Sequence, residues 1–160
     1  MWLVNLLKAL PHELIVFIIS ATPVIEVRGA VPIALLYFKL PVLTTLLLCV
    51  VGSILPVFPV LWFLKTLVDK MRKANLFDRF FAWLFARTRS KSRIIEEFEL
   101  VGLTIFIAIP FPGTGVWTGT IAAYLLGLPW IPTFICAAIG TAIASLIMWA
   151  ASVGIINFFL

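Results

Sequence analysis

ATPVIEVRGAVP, residues 21–32, and AIPFPGTGVWTGT, residues 108–120, are the two stretches that decide the fold of this chain. Each places prolines and glycines between two apolar segments. Proline lacks the backbone N–H and costs about 3 kcal/mol inside a helix, so each stretch predicts a bend between two helical arms. The first stretch also carries Glu26 and Arg28, which are the only charged residues within positions 14–38.

Apolar segments of similar plan surround both bends. In each half, two short arms flank the bend and a long apolar helix follows a Leu-Pro turn. The predicted arms are 13–22 and 27–39, then 101–109 and 113–127, and the long helices are 42–64 and 131–153. At 1.5 Å per residue each long helix is about 34 Å long and crosses a hydrocarbon core of about 30 Å. The arms reach only about half to two-thirds of that depth.

Rare residues recur at one offset, which predicts an internal duplication. The only two tyrosines and the only two cysteines each lie 87 positions apart. With one inserted residue, Gly52 also matches Gly140. The matched pairs are Tyr37 with Tyr124, Cys49 with Cys136, Ala21 with Ala108, Pro23 with Pro110, Trp62 with Trp149, and Leu40-Pro41 with Leu128-Pro129.

Two membrane topologies fit this plan. If each pair of arms is a re-entrant hairpin, each half crosses once and the second half is inverted. If each pair is one kinked spanning helix, each half crosses twice and the halves are parallel. Prolines crowd the breaks, and non-helical backbone at membrane depth must be buried in protein or line a cavity, so we favour hairpins. The prolines concerned are Pro23, Pro32, Pro110 and Pro112.

The composition requires a lipid environment. Hydrophobic residues make up 63% of the chain and charged residues 12%, too few to cover the surface of a soluble protein of this size. The predicted fold is therefore an all-α, multi-pass integral membrane protein of the cell membrane. We expect a single domain, 1–160, with repeat one at 13–64 and repeat two at 101–153. The N-terminal segment lacks the pattern of a cleaved signal peptide, so we expect it to be retained.

The linker 65–97 is strongly basic. Nine of the twelve Lys and Arg residues lie between Lys65 and Arg93, where the net charge is +7. Basic excess next to apolar segments marks the cytoplasmic side, and because topology explains the cluster we do not expect nucleic-acid binding. Apolar residues at helical spacing predict an amphipathic helix that lies at the interface and attracts anionic lipids. A helix packed on the protein itself is the alternative.

Glu26 and Arg28 are the first candidates for a functional site, because ionisable residues at membrane depth are expensive. Residues two apart do not share a helical face, but they can pair across an irregular tip. The functional interpretation is a carboxylate that responds to a proton or a cation. The structural alternative is a buried ion pair that holds the tip in place.

The second bend is neutral. Gly113 and Gly115 permit positive φ, Thr114 and Thr118 offer hydroxyl groups, and freed N–H groups at the start of a half-helix favour anions. Glycines placed for close helix packing are the alternative. The run GTGVWTG is not a phosphate-binding loop, since no Lys follows the glycines. We expect no metal, no cofactor and no enzyme activity.

Both motifs, E-x-R-G-A-x-P and P-x-P-G-T-G-x-W-T-G, resemble those of the bacterial and archaeal small multidrug export proteins, and the resemblance covers nearly the whole chain. Distantly, the chain is also similar to DedA-type membrane proteins, which implies paired re-entrant hairpins and the movement of lipids or ions. The residues that the resemblance implies as functional are Glu26, Arg28, Gly29, Pro32, Pro110, Pro112, Gly113, Thr114, Gly115 and Trp117.

The expected function is a small secondary transporter or exporter of a small molecule, ion or lipid. Tips 23–32 and 110–119 would meet near mid-membrane, with Glu26 as the coupling carboxylate. One alternative is a translocase for lipids or lipid carriers, in which Arg28 receives a phosphate headgroup. Another is a non-transporting scaffold that acts through its basic linker. A homodimer is plausible because four arms and two spans make a thin bundle.

Overall fold

The computed structural model describes residues 10–73, 93–111 and 113–159, and within these ranges all regular structure is helical, with no strand. The helices are α1 His12–Ala21, α2 Glu26–Pro32, a π-helical turn Ile33–Tyr37, α3 Val42–Ile54, α4 Val57–Lys73, α5 Arg93–Ala108, α6 Val116–Leu126 and α7 Trp130–Phe159. The predicted all-α class is confirmed. Two segments are long and apolar enough to span a membrane, Val42–Val68 and Trp130–Gly154.

Several helix boundaries differ from the prediction; the last helix, α7, ends at Phe159 and not at 153. The first long helix does not run straight through 42–64 but is interrupted at Leu55 and Pro56, and it then continues to Lys73. Pro56 has no N–H for the helical ladder, and its carbonyl starts the next helix by accepting from Val60 N at 2.9 Å. The first arm of the second half begins at Arg93, well before the predicted position 101. Glu96, Glu97 and Glu99 therefore lie inside this helix.

The described residues form two compact units. Unit 1 contains α1, α2, the π-helical turn, α3 and the part of α7 that begins at Thr141. Unit 2 contains α4, α5, α6 and the part of α7 that ends at Gly140. The chain thus passes between units inside its two long apolar segments, after Leu55 and after Gly140.

In unit 1, α1 and α2 fold back on each other as a helical hairpin, here called hairpin 1. The ring of His12, at the start of α1, stacks on the ring of Phe38, just after the π-helical turn, with centroids 4.4 Å apart. The beginning of the first arm therefore contacts the end of the second. The arms and α3 enclose small buried residues, namely Val16, Val27, Ala30, Val31, Ala34, Cys49 and Ala144.

In unit 2, α5 and α6 pack together as hairpin 2, and α6 also packs on α4. Gly119 of α6 lies against Ile107 of α5 so closely that a methyl group there would be 2.7 Å from Ile107 Cγ1. At the start of α7, the rings of Trp130 and Phe134 lie 6.0 Å and 4.9 Å from the ring of Phe58. Unit 2 therefore has an apolar contact within hairpin 2 and aromatic contacts between α4 and α7.

The first arm of each hairpin contacts a long helix through a glycine. A methyl group at Gly52 would lie 2.7 Å from Phe17 O and would overlap Ser20 Oγ. A methyl group at Gly140 would lie 2.9 Å from Thr104 O. Phe17 and Thr104 are 87 positions apart, and the glycines are 88 apart because of the inserted residue. Matching positions in the two halves therefore make the same close backbone approach.

The second arms also end alike. Lys39 and Gly127 both have positive φ, +54° and +70°. In both cases the next residue is a leucine whose N–H bonds back into the arm, to Ala34 O at 3.0 Å and to Ala123 O at 2.9 Å. A glycine is the usual residue at such a cap, so Lys39 is the strained member of the pair.

The first residues of the two long helices show which positions of the two halves correspond. Each begins directly after a proline, and that proline's carbonyl accepts from Thr45 N at 2.9 Å in the first half and from Thr133 N at 3.1 Å in the second. The offset within these helices is therefore 88. Counted from these two prolines, Cys49 corresponds to Ala137, one position beyond Cys136, with which the sequence comparison paired it.

The polarity of the described residues is reversed relative to a soluble protein. The most apolar 18-residue windows of the two candidate spans are each only 28% buried. The described interior, by contrast, holds small hydroxyl side chains, and none of its largest fully buried side chains is aromatic. The buried hydroxyl residues are Ser20, Thr45, Ser53, Thr120, Thr133, Thr141, Ser145 and Ser152. Small residues inside and large apolar residues outside indicate a lipid solvent.

Candidate functional site

Tip 1 is the turn between α1 and α2, residues 22–26. Thr22 Oγ1 donates to Ile19 O at 2.7 Å and closes the end of α1. Glu26 N then donates to Thr22 O at 3.2 Å. Glu26 itself has φ +48°, a left-handed conformation that strains a residue other than glycine by about 1–3 kcal/mol. The chain therefore reverses at the residue that carries the carboxylate.

The carboxylate of Glu26 pairs with Arg28 across this tip. Arg28 Nη1 donates to Glu26 Oε2 at 2.9 Å. The Glu26 side chain is 5% exposed and the Arg28 side chain 20% exposed. The turn residue beside them, Val24, is 89% exposed and apolar. The pairing across an irregular tip that the sequence allowed is confirmed, with the acid the more deeply buried partner.

Gly29 and Pro32 do not form the tip. Gly29 lies inside α2, where a methyl group would overlap the side chain of Ile25. Pro32 lies at the end of α2, directly before the π-helical turn Ile33–Tyr37, in which Phe38 N donates to Ile33 O at 3.1 Å. The prediction that Pro32 crowds the break is wrong in this detail. The proline is accommodated by wider hydrogen-bond spacing within the arm, a known way to relieve an interrupted helical ladder.

Tip 2 is the turn between α5 and α6, residues 109–115, and Thr114 holds it together. Thr114 Oγ1 lies 2.7 Å from Ile109 O, 2.8 Å from Phe111 O and 3.4 Å from Phe111 N. A hydroxyl has one hydrogen, so Thr114 donates to one carbonyl at a time while its oxygen accepts from Phe111 N. The Thr114 hydroxyl thus has a structural role within the turn. Pro112 lies outside the described residues.

The two glycines of tip 2 adopt the positive φ that the sequence predicts. Gly113 has φ +88°. Gly115 has φ +154° with ψ −172°, a region open essentially to glycine alone. Gly115 also starts α6, since its carbonyl accepts from Gly119 N at 2.8 Å. Tip 2 therefore reverses the chain through glycine, where tip 1 uses glutamate.

The remaining candidates lie on the first turn of α6. Thr118 is exposed, and its hydroxyl lies 3.3 Å from Gly115 O. Trp117 is half-buried. Thr120 is buried, and its hydroxyl donates to the carbonyl of Val116, one helical turn earlier, at 2.6 Å. The hydroxyl groups of this turn thus contact backbone carbonyls of their own helix.

The sequence interpretation missed a polar contact that anchors hairpin 1. Ser53 Oγ donates to Ser20 O at 2.8 Å, beside the close approach at Gly52. Both serines are buried. The sequence feature that could have indicated this contact is Ser53, which directly follows Gly52, the glycine matched with Gly140. Among the described residues no group of three or more His, Cys, Asp or Glu is placed to hold a metal ion.

Comparison with known proteins gives one match. A family model described as "Putative small multi-drug export protein" matches residues 26–147, which include Glu26, Arg28 and the whole of tip 2. Curated proteins and solved structures give no match.

Proposed function

The chain belongs to this family of small multi-drug export proteins, and from that premise we propose that it is a secondary transporter of the cell membrane, coupled to protons or another ion. One observation carries the proposal. Glu26 is 5% exposed, left-handed and paired with Arg28 at the apex of a helical hairpin. An ionisable pair with strained backbone in an apolar protein is expensive, and such features concentrate at functional sites.

We further propose that both hairpins are re-entrant and that the two halves are inverted repeats. In support, the arms of hairpin 1 fold back so that His12 contacts Phe38, which a single kinked span would not do. At 10 residues α1 is about 15 Å long, half of the hydrocarbon core. Each half then crosses the membrane once, through its long apolar segment.

Reporter fusions test this topology. The basic linker 65–97 is expected in the cytoplasm, and a reporter after Leu160 is expected on the opposite side. The central part of that linker lies outside the described residues, while its first residues continue α4 and its last residues belong to α5. A cytoplasmic C-terminal reporter would support kinked spans and remove the inverted arrangement.

The coupling role of Glu26 is tested in proteoliposomes that contain a pH-sensitive dye, with gradients of charged aromatic probes. Wild type is expected to move protons in response to such a gradient, and Glu26→Gln is expected to lose this flux while staying monodisperse. Glu13→Gln is the matched control, since Glu13 is an exposed carboxylate at the far end of α1. Glu26→Gln with a wild-type proton flux would remove the coupling role.

The sequence hypothesis that both tips line one substrate path is tested by cross-linking. The two native cysteines, both free, are first changed to alanine. Cysteines then replace Val24 and Phe111, the exposed apolar residues of tips 1 and 2. A short bifunctional reagent is expected to join them within one chain. If no reagent shorter than about 10 Å cross-links the two cysteines, the tips are not close together. The hypothesis of a shared substrate path would then lose its support.

A translocase for lipids or lipid carriers is the second candidate, favoured by the greater exposure of Arg28 at 20%. A lipid-linked phosphate would then stabilise the purified protein, and Arg28→Ala would abolish the effect. A non-transporting scaffold is the third. For a scaffold, deletion of the linker would impair function and Glu26→Gln would not.

A further inference from the structure

The two charges at tip 1 differ in what can neutralise them. A proton converts the Glu26 carboxylate into a neutral acid. Arg28 remains a cation at any physiological pH, because a guanidinium is not deprotonated in proteins. The ion pair joined at 2.9 Å therefore has only one member whose charge can be switched.

The two members also differ in access. At 5% exposure, the Glu26 side chain is within reach of a proton but closed to a large ion. At 20% exposure, the Arg28 side chain is the part of the pair that an incoming ion meets first. A guanidinium can also donate two parallel hydrogen bonds to a pair of oxygens on a carboxylate, phosphate or sulfonate group.

The elements packed against α2 bring few other charges to this end of hairpin 1. Their other titratable side chains are those of His12 and Glu13 in α1, Cys49 in α3 and Tyr37 at the end of the π-helical turn. Glu13 lies in the first turn of α1, about 12 Å along the helix from its tip end. Among these elements, Glu26 supplies the negative charge opposite Arg28.

From this arrangement we propose that Arg28 binds a monoanion at the step in which Glu26 takes up a proton. This inference rests on the proposed function and specifies its substrate class as anionic. Before loading, the site holds one carboxylate and one guanidinium. After loading, it holds a neutral acid and a guanidinium paired with the anion. One proton accompanies one negative charge, so the total charge of the site is unchanged.

Charge balance explains why an anion is favoured over a cation. Burying an unpaired charge costs several kcal/mol, so a loaded site that stays neutral avoids this penalty. An organic cation on Glu26 would displace Arg28 and leave two cations facing one carboxylate. A sulfonate, a carboxylate or a phosphate diester meets the requirement, whether it is a free ion or the headgroup of a lipid.

The test uses the full-length protein in phosphatidylcholine vesicles that contain a pH-sensitive dye. Two aromatic probes carry permanent charge and cannot ferry protons themselves, namely benzenesulfonate and benzyltrimethylammonium. An inward gradient of the sulfonate is expected to acidify the lumen at least tenfold faster than in protein-free vesicles. The same gradient of the ammonium probe is expected to leave the lumenal pH unchanged.

Variants separate the two steps. Glu26→Gln is expected to lose proton uptake but to keep exchange of labelled benzenesulfonate, because Arg28 is still present. Glu26→Gln combined with Arg28→Gln is expected to lose both and to stay folded, because no unpaired charge is buried. Lys39→Asn is the matched basic control, since Lys39 is exposed and asparagine tolerates its positive φ. The control is expected to behave as wild type.

Proton flux driven by the ammonium probe and not by the sulfonate would overturn the anionic class while leaving a proton-coupled transporter in place. If neither probe moves protons and labelled sulfonate does not cross, the proposed function fails and the inference fails with it. Competition identifies the source of the anion. Inhibition of the sulfonate-driven flux by dimethyl phosphate in the bath supports a free ion, and inhibition by phosphatidylglycerol in the bilayer supports a lipid headgroup.

Discussion

Hairpin 1 reverses the chain at a left-handed glutamate, whereas hairpin 2 reverses it at two glycines and a threonine hydroxyl. The scaffolds around these turns match closely. Gly52 and Gly140 bring a long helix against the first arm at equivalent positions, where an added methyl group would lie 2.7 and 2.9 Å from a backbone carbonyl. The packing is thus shared, and the chemistry of the two tips is not.

This difference supports the proposal that the functional site includes tip 1. A glycine at position 26 would relieve the backbone strain, as the glycines of tip 2 do. Hairpin 1 instead places a charged residue in the strained position and pairs it with Arg28 at 2.9 Å. Strain at a position where a simpler residue would fit indicates a requirement beyond folding.

The largest expected effect on stability comes from breaking the ion pair on one side only. Arg28→Gln leaves the Glu26 carboxylate buried without its cation, and we expect a loss of about 3 kcal/mol in the free energy of unfolding at neutral pH. The loss should shrink as the pH falls, because a proton then neutralises the carboxylate. Denaturation in detergent at pH 5 and pH 8 measures this. If the loss of unfolding free energy is the same at both pH values, the Glu26–Arg28 ion pair does not stabilise tip 1. The two tips would then not differ in how charge contributes to their stability.

Next in size is the shared close approach. Gly52→Ala and Gly140→Ala each force a methyl group against a backbone carbonyl, and each is expected to cost about 2–3 kcal/mol. Gly102→Ala is the matched control, since a methyl group there meets nothing within 4 Å. It should leave stability unchanged or raise it by up to about 1 kcal/mol. If the two variants lose unequal amounts of unfolding free energy, the contacts at Gly52 and Gly140 are not equivalent.

A smaller effect is expected at the glycines of tip 2. Gly115→Ala, at φ +154°, should cost about 2 kcal/mol, and Gly113→Ala, at φ +88°, about 1 kcal/mol. A methyl group at Gly113 meets nothing within 4 Å, so its loss reports backbone conformation alone. Thermal unfolding of the two variants measures which of them loses more stability. The reverse order would mean that contacts, not φ, determine the turn.

The smallest effect is expected from the hydroxyl groups of tip 2. Thr114→Val removes the contacts at 2.7 and 2.8 Å and should cost about 1 kcal/mol. Thr118→Val, whose hydroxyl is exposed and 3.3 Å from its carbonyl, should change stability by less than about 0.5 kcal/mol. The same denaturation assay compares them. Equal effects would remove the special role of Thr114 in holding the glycine turn.

Much of the plan of each hairpin was predictable because proline and glycine act locally. The bends fall at the predicted stretches, and Gly113 and Gly115 have the predicted positive φ. The interruption at Leu55 and Pro56 had a signal in Pro56, which the apolar run around it obscured. The left-handed Glu26 had no signal, because glutamate has no preference for that conformation.

The sequence by itself determined that the chain has lipid-compatible spans, where they begin, and where the arms break. These follow from the transfer energy of side chains and from the missing N–H of proline, which belong to residues and to short segments. The tertiary structure decided that Glu26 is buried against Arg28, that a π-helical turn follows directly after Pro32, and that Gly52 and Gly140 are contact points. These depend on which groups are close in space, and close packing fixes them only when the helices are assembled.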